Sequence, residues 1–270
     1  MEQIILTPTN LSSGDSKSAG VDLGLFQINR IRSIKDPLFE TAYSHLWAQF
    51  GEEDEMELRE TLDARFQLAP RILYEMILVR RNEEFIAVRD HTAIVTDGAA
   101  VVHLSHNLVA QKARRTGLAG WLRAWPISTA RDCLTAQGLS ADAPITLIAE
   151  MEYASDEDPA RTIRLDAYEK AGFLKIDPQS VSYHQPDFRS GEVIDATGGP
   201  RPIPFQLVLR RVGRETEQKI SGRELQQIVH SLYAIYGALF RPADMAHPLL
   251  SLDAFPAEDA SIALVPPTQS

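Results

Sequence analysis

The chain has 270 residues, of which 44% are hydrophobic and 24% charged, so it can bury a sizeable core without disulfides or structural metals. Its formal net charge of −10 argues against nonspecific nucleic-acid binding, which depends on a basic surface. The single cysteine, Cys133, excludes a disulfide within the chain, and no apolar run is long enough to span a bilayer. The N terminus lacks the pattern of a secretory signal, so we expect a cytoplasmic protein with no membrane partner.

The first part of the chain predicts a leader, a strand and two helices. Residues 1–23 are expected to form a flexible leader because most of them are Ser, Thr, Gly, Asp or other small or polar residues. Apolar and polar residues alternate from 26 to 31, which predicts a half-buried strand. Asp36-Pro37 then predicts the start of a helix, and a second helix is expected at 55–66.

Three strand-like runs follow and predict an antiparallel meander. The runs cover residues 73–79, 85–89 with 92–95, and 99–110. Arg81-Asn82-Glu83 and Thr96-Asp97-Gly98 are the predicted turns, since Asp-Gly is a strong hairpin signal.

The next segment alternates helices and strands. A helix is expected at 116–136, interrupted at Pro126, and a shorter helix at 163–171 is closed by Gly172. Further strands are predicted at 145–150, 173–176, 181–184 and 205–211. This order predicts an α/β (α+β) fold with a mixed, mostly antiparallel sheet flanked by helices.

The composition changes after Gly213. Residues 224–240 predict a strongly amphipathic helix, and a Pro-rich tail follows it. We therefore expect a main domain at 24–212 and a C-terminal extension at 213–270. The apolar stripe of the helix can pack on the domain, and the alternatives are a homodimer interface or a lid over the acceptor cleft.

The segment between the third meander strand and the next helix carries the clearest chemical signal. The first N–H groups of a helix lack internal partners and can bind phosphate. Gly117 permits close approach of the backbone, Ala119 leaves room behind it, and Arg114 and Arg115 add positive charge. The loop lacks the Gly-Lys-Ser/Thr ending of a P-loop, which disfavours nucleotide hydrolysis.

Two motifs together resemble one family. Arg114-x-x-Gly117-x-Ala119 looks like the coenzyme A pyrophosphate motif of the GCN5-related N-acetyltransferase (GNAT) superfamily. About fifty residues later, Tyr168-Glu169-Lys170-Ala171-Gly172-Phe173 resembles the second signature of that family. The order of predicted elements from 26 to 211 also matches, so the resemblance covers roughly residues 24–212.

The resemblance implies an acetyl-CoA-dependent N-acetyltransferase that acts on a primary amine of a small molecule or peptide in a ternary complex, with no metal. The implied donor-binding residues are Leu108, Val109, Ala110, Arg114, Arg115, Thr116, Gly117, Leu118 and Ala119. Tyr168 occupies the position that often protonates the departing thiolate. The sequence departs from the family pattern at Arg161, where an Asn is frequent, and at Arg164, where a small residue is frequent.

The amine must lose a proton before it attacks, so a base is required. His103 shares one strand face with Ser105 and Asn107, and a polar face in the middle of a sheet is typical of a cleft. Some family members that acetylate arylalkylamines carry a histidine at the position of His103, and the alternative is a structural histidine. Glu150 and Glu152 end the neighbouring strand and are the other candidates to bind or deprotonate the amine.

A non-catalytic role remains open at this point. The chain can instead be an acetyl-CoA-binding sensor or a partner-docking module. No Gly-x-Ser-x-Gly elbow or His-Glu-x-x-His motif supports a hydrolase.

Overall fold

The computed structural model describes residues 7–51, 55–155 and 157–269, so residues 1–6 of the predicted leader lie outside it. In these ranges the strands are β1 (Gln27–Ile31), β2 (Ile72–Arg81), β3 (Glu84–Thr96), β4 (Ala99–Val109), β5 (Ile145–Met151), β6 (Leu174–Ile176), β7 (Tyr183–Gln185), β8 (Ile203–Arg211), β9 (Lys219–Ser221) and β10 (Ser261–Val265). The α-helices are α1 (Phe39–Phe50), α2 (Arg59–Phe66), α3 (Leu118–Ala124), α4 (Pro126–Ala136), α5 (Pro159–Lys170), α6 (Gly191–Ala196), α7 (Gly222–Gly237) and α8 (Pro242–Leu250).

The described strands form one sheet in the order β1-β2-β3-β4-β5-β8-β6-β10-β9, and β7 also pairs with β8. Among these strands only β4 and β5 run parallel, and all other neighbours are antiparallel. The prediction of a mixed, mostly antiparallel sheet with flanking helices is confirmed.

Both predicted meander turns are two-residue hairpins. Asn82 and Glu83 have φ values of +49° and +65°, and Asp97 and Gly98 have +49° and +78°. Two successive left-handed residues match the twist of antiparallel strands, which is why such turns close hairpins.

Helix boundaries differ locally from the prediction. Helix α1 begins at Phe39, because the Asp36 side chain accepts a hydrogen bond from Leu38 N at 2.9 Å and forms a turn ahead of the helix. Helix α2 begins at Arg59, four residues later than expected. The predicted interruption at Pro126 is present, because α3 ends and α4 begins on either side of Trp125.

Helices cover both faces of the sheet. Side chains of α1, α2 and α7 pack on one face, over residues such as Ile72, Tyr74, Met76, Val101 and Ile148. Side chains of α3, α4 and α5 pack on the other face, over residues such as Ile77, Val79, Val102, Leu104 and Leu147. No helix in the described ranges combines the length and the apolarity required to cross a membrane.

The C-terminal residues belong to the same sheet and core as the rest of the chain. The stripe on α7 is buried inside the molecule at Leu225, Ile228, Val229, Leu232, Ile235 and Tyr236. Strands β9 and β10 extend the sheet beyond β6, so the predicted Pro-rich tail contains a helix and a strand. The boundary expected at residue 213 therefore does not separate two cores, and the stripe on which the dimer alternative rested is already covered.

Residues 7–25 differ from the expectation of a mobile leader. They form short 3-10 helices at Pro8–Asn10, Ser13–Gly20 and Leu23–Leu25. The segment is fastened to α3 by a hydrogen bond from Trp121 Nε1 to Ser18 O at 2.6 Å and by a buried ion pair between Arg123 and Asp15. These contacts come from tertiary structure, which the polar composition of the segment does not reveal.

Candidate active site

The loop between β4 and α3 contains two residues with a left-handed backbone conformation. Arg115 (φ +64°) and Gly117 (φ +94°) are both left-handed, and Gly117 immediately precedes α3. Arg114 Nε donates to Val109 O at 3.2 Å and ties the loop back to the strand. Within the described part of the chain, the backbone N–H groups of Arg115, Thr116 and Gly117 donate no hydrogen bond, which leaves them available to an anion.

Strands β4 and β5 separate just before this loop. Their parallel pairing covers only Ala100–His103 with Ile145–Ile148, although β4 continues to Val109 and β5 to Met151. The backbone N–H of Ala110 points toward β3, where it donates to Ile86 O at 2.9 Å. Because successive peptide groups of a strand point to opposite sides, the N–H of Val109 points into the opening between β4 and β5.

A cavity of about 580 Å³ occupies this opening. The cavity extends from the α1–α2 face of the sheet to the α3–α5 face. Phe50 and Glu57 line it on the first face, and Arg123 and Tyr168 line it on the second. Its polar lining includes Glu57, His103, Ser105, His106, Arg123, Glu150 and Tyr168. This is large enough to enclose a small ligand.

A buried cluster around Glu150 lies on one side of the cavity. Glu150 Oε2 accepts hydrogen bonds from His103 Nε2 at 2.9 Å, Gln185 Nε2 at 2.8 Å and the Tyr236 hydroxyl at 2.7 Å, and Oε1 accepts from the Tyr183 hydroxyl. Burial alone raises the pKa of Glu150, but His103 and the hydroxyl donors lower it more, so the pKa lies below its usual value. Burial and the Glu150 charge raise the pKa of Tyr183 and Tyr236 well above the usual value, so both keep their protons.

The cluster determines which nitrogen of His103 is free. An ionised Glu150 only accepts hydrogen bonds, so His103 Nε2 carries the proton that points to it. In the neutral form of His103, the other ring nitrogen, Nδ1, is then the one without a proton, and it lies 3.4 Å from Ser105 Oγ. The Glu150 carboxylate therefore fixes the orientation of the His103 ring. Nε2 faces Glu150, and Nδ1 faces Ser105.

These features together decide the fold family. A meander leads into two parallel strands that separate, and a left-handed loop and a helix follow the first of them. The chain has the fold of the GCN5-related N-acetyltransferases.

Solved structures of GNAT-family proteins resemble the chain at low sequence identity. A GNAT-family protein from Bacteroides thetaiotaomicron is 15% identical, with a TM-score of 0.49 and coverage of 79% of this chain and 99% of that one. A GNAT-family acetyltransferase from Elizabethkingia anophelis with acetyl-CoA bound is 14% identical, with a TM-score of 0.39 and coverage of 69% and 98%. An acetyltransferase of the GNAT family from Staphylococcus aureus Mu50 is 13% identical, with a TM-score of 0.38 and coverage of 69% and 99%. No family model matches the sequence, and no curated protein matches it.

A β-bulge in β4 lies beside the cavity of the GNAT fold. The register shifts between the pairs Arg89–Asn107 and His91–Leu104, so β4 has an extra residue opposite Asp90. Asp90 Oδ1 accepts hydrogen bonds from His106 N at 2.8 Å and from His106 Nδ1 at 3.0 Å. Burial lowers the pKa of His106, but Asp90 raises it more, to about 9, so this histidine is a cation at neutral pH. His106 therefore holds the bulge and is not the base.

Tyr168 lies on the opposite side of the cavity, on α5. Its ring packs edge-on against Phe173 at 4.8 Å between centroids. Beside it is Arg89, whose guanidinium is completely buried and forms no ion pair among the described residues. Burial lowers the pKa of Arg89, and the neighbouring Tyr168 hydroxyl offsets part of that effect.

The two arginines that depart from the family pattern both bind one carboxylate. Arg161 lies 2.6 Å from Glu152, and Arg164 also contacts Glu152. Glu152 is thereby neutralised at the mouth of the cavity and is a poor candidate for the base. No group of three or more side chains suited to bind a metal ion occurs within the residues that the structure describes.

The predicted site residues occupy three places around the opening. His103 and Glu150 are in hydrogen-bond contact, and Tyr168 lines the same cavity from the other face of the sheet. Leu108, Val109 and Ala110 form the edge of the opening, and Arg114, Arg115 and Thr116 are exposed on the loop. Leu118 differs, because its side chain is buried in the core and only its backbone faces the loop.

Several polar residues around the cavity had no signal in the sequence. They are Asp15, Glu57, Arg65, Arg89, Asp90, Arg123, Tyr183, Gln185 and Tyr236. Most of them lie in helices or strands, whose patterns predict structure rather than chemistry, whereas Asp15 lies in the polar N-terminal segment and Glu57 in the connection before α2. Arg89 is the one that sequence could have flagged, since Arg89-Asp90-His91 places three ionisable residues in the middle of a predicted strand.

Proposed function

We propose that the chain transfers an acetyl group from acetyl-CoA to a primary amine of a small molecule or peptide, by direct attack within a ternary complex. The observation that carries the proposal is the opening between β4 and β5. It places an anion-binding loop at one end and a carboxylate-held histidine and a tyrosine on its two sides. A donor and an acceptor can therefore enter from opposite faces and meet inside the sheet.

The loop is assigned to the pyrophosphate of the donor. The free N–H groups of Arg115, Thr116 and Gly117 and the exposed guanidinium groups of Arg114 and Arg115 supply donors and positive charge. The edge of β4 at Leu108–Ala110 is assigned to pantetheine, which would pair with the strand as an added strand does.

His103 is assigned as the base. Its Nδ1 would accept the amine proton, directly or through the Ser105 hydroxyl 3.4 Å away, while Glu150 stabilises the resulting imidazolium. The neutral amine nitrogen then forms a bond to the thioester carbon, and the adduct releases its second N–H proton to solvent. The negative charge that develops on the carbonyl oxygen would be met by the N–H of Val109, which points into the opening.

Tyr168 is assigned as the acid. When the carbon–sulfur bond breaks, the electron pair stays on sulfur and Tyr168 donates a proton to it. The buried guanidinium of Arg89 is positioned to stabilise the phenolate that remains. The products are the N-acetylated amine and free coenzyme A, and one proton passes from His103 to Tyr168 through solvent to reset the site.

The test is release of the coenzyme A thiol in the presence of acetyl-CoA and a panel of amines. Polyamines, amino acids, aminoglycosides, arylalkylamines and peptide N termini cover the acceptor classes. We expect thiol release with one class, and a thermal shift with acetyl-CoA that ATP and NAD do not reproduce. A protein that binds acetyl-CoA but releases no thiol with any class would contradict catalysis.

One observation favours a second candidate, a module that binds acetyl-CoA without turnover. Residues 17–21 pack against Gly117 at the end of the proposed phosphate-binding loop and against α3, which suits a protein that responds to the donor rather than consuming it. His103→Ala and Tyr168→Phe would then leave cellular function intact. Loss of function in either variant, with acetyl-CoA binding retained, would reject the module.

A further inference from the structure

The N-terminal segment, residues 12–21, lies directly on the proposed donor loop. Trp121 Nε1 donates to Ser18 O at 2.6 Å, so the indole of α3 holds the segment by its backbone. A Cβ placed on Gly117 would lie 3.0 Å from Val21 Cγ2 and 3.1 Å from Ser18 Cα. The space beside the loop glycine is therefore filled by this segment, next to the exposed residues Arg115 and Thr116.

The same segment also closes on α5. Ser12 Oγ donates to Lys170 O at 3.3 Å, and Gly14 packs so closely on Lys170 that a Cβ there would overlap its carbonyl oxygen. On the α3 side, a Cβ on Gly120 would lie 2.1 Å from Ser18 Oγ. The segment thus bridges the two helices that frame the groove, and glycines on both partners permit the close contact.

Charge in the groove indicates that its natural occupant is an anion. Asp15 pairs with Arg123 at 2.6 Å, and both side chains are about nine-tenths buried. Arg123 also lines the cavity, and Arg89 lies near it with no ion pair in the described residues. Burying the Arg89 guanidinium without a carboxylate partner costs free energy. Asp15 neutralises Arg123 but leaves the positive charge of Arg89 uncompensated.

We propose that the N-terminal segment is an internal competitor of the acyl-CoA donor, with the Asp15 carboxylate in place of an anionic group of the ligand. This inference rests on the proposed function, since it assumes that the groove binds acyl-CoA. The protein then exists in a closed form, in which residues 12–21 pack on Gly117, α3 and α5, and an open form that admits the donor. The apparent dissociation constant of the donor equals the intrinsic constant divided by the open fraction.

Asp15→Asn is the direct test in the full chain. It removes the charge that holds the segment on Arg123 and adds no bulk, and the segment can lift away and return Arg123 to solvent. The matched control is Asp22→Asn, because Asp22 is exposed in the same region and its carboxylate only accepts from Gly24 N at 2.9 Å. By calorimetry we expect Asp15→Asn to bind acetyl-CoA about tenfold or more tightly than the parent, and Asp22→Asn to bind like the parent.

Two further measurements keep the test independent of that one variant. Trp121→Phe removes the hydrogen bond to Ser18 O but keeps an aromatic ring, and we expect it to tighten acetyl-CoA binding as well. In the unmodified protein, saturating acetyl-CoA should accelerate amide hydrogen exchange across residues 12–21.

The outcomes separate the two proposals. Equal acetyl-CoA affinity in the parent, Asp15→Asn and Trp121→Phe proteins, or slower exchange of the segment with ligand, overturns the competitor and leaves the proposed function standing. Weaker binding in Asp15→Asn makes the segment part of the donor site and also overturns it. Absence of acetyl-CoA binding in all four proteins overturns the proposed function itself, and the competitor with it.

Discussion

The pair formed by Asp90 and His106 predicts a specific loss of stability at alkaline pH. His106 is buried, and its pKa rises from 6.5 to about 9 in the folded protein. A group whose pKa is raised by folding stabilises the folded state below its unfolded pKa and loses that effect as the pH passes the folded pKa. The difference of about 2.5 units corresponds to about 3 kcal/mol, of which about 2 kcal/mol is present at about pH 7.5.

The assay is urea unfolding of the parent and of His106→Asn at several pH values between about 6 and 10. Asparagine keeps a donor near the position of Nδ1, which faces Asp90 at 3.0 Å, but it does not titrate. We expect the parent to lose about 3 kcal/mol of unfolding free energy across this range relative to the variant. Comparison with the variant cancels the contribution of groups that do not interact with His106.

The result would refute the reasoning if the two proteins changed in parallel with pH. That outcome would mean that His106 is neutral in the folded state and that Asp90 does not hold it as a cation. A parent that gains stability relative to the variant as the pH rises would reverse the sign and be equally incompatible with the structure.

Three further substitutions test the proposed site. Tyr168→Phe should lower kcat about tenfold with unchanged acetyl-CoA affinity, because a coenzyme A thiolate leaves readily without an acid; an unchanged kcat would remove Tyr168 from the mechanism. Glu150→Gln should lower kcat/KM about 100-fold by releasing the orientation of His103, and an effect confined to acetyl-CoA affinity would contradict that role. Gly117→Ala should lower the unfolding free energy more than Gly98→Ala. Both glycines have positive φ, which costs an alanine about 1–2 kcal/mol. Of the two, only Gly117 also has a neighbour 3.0 Å from the added Cβ. Equal losses in chemical denaturation would show that the contact of the N-terminal segment with this loop is absent in solution.

The local pattern of the sequence was sufficient for most of the sheet and for the donor loop. The meander needs only alternating strands and the turns at Asn82-Glu83 and Asp97-Gly98, in which Asn82, Asp97 and Gly98 are residue types that tolerate the left-handed conformation. The loop at Arg114–Ala119 likewise follows from a strand, a glycine and a helix in direct succession. Such signals act over a few residues, so one sequence contains them in full.

Short elements late in the chain were not predictable in the same way. Helices α6 and α8 and strand β10 fall in segments whose prolines and polar residues suggested loops or a tail. Strand β10 is held by its pairing with β6 and β9, which are distant in sequence. Tertiary pairing decided its structure, and local propensity did not.

The sequence by itself determined the fold class and pointed to the loop at Arg114–Ala119 and to the candidates His103, Glu150 and Tyr168. Only the tertiary structure decided how they are related. Glu150 contacts His103 across 47 residues of sequence and Tyr236 across 86, and Asp15 meets Arg123 across 108. A buried charge is stable only with partners, and those partners are brought together by the packing of the whole chain. For the same reason, the N-terminal segment reads as a leader in sequence but packs against α3 and α5 in the folded protein.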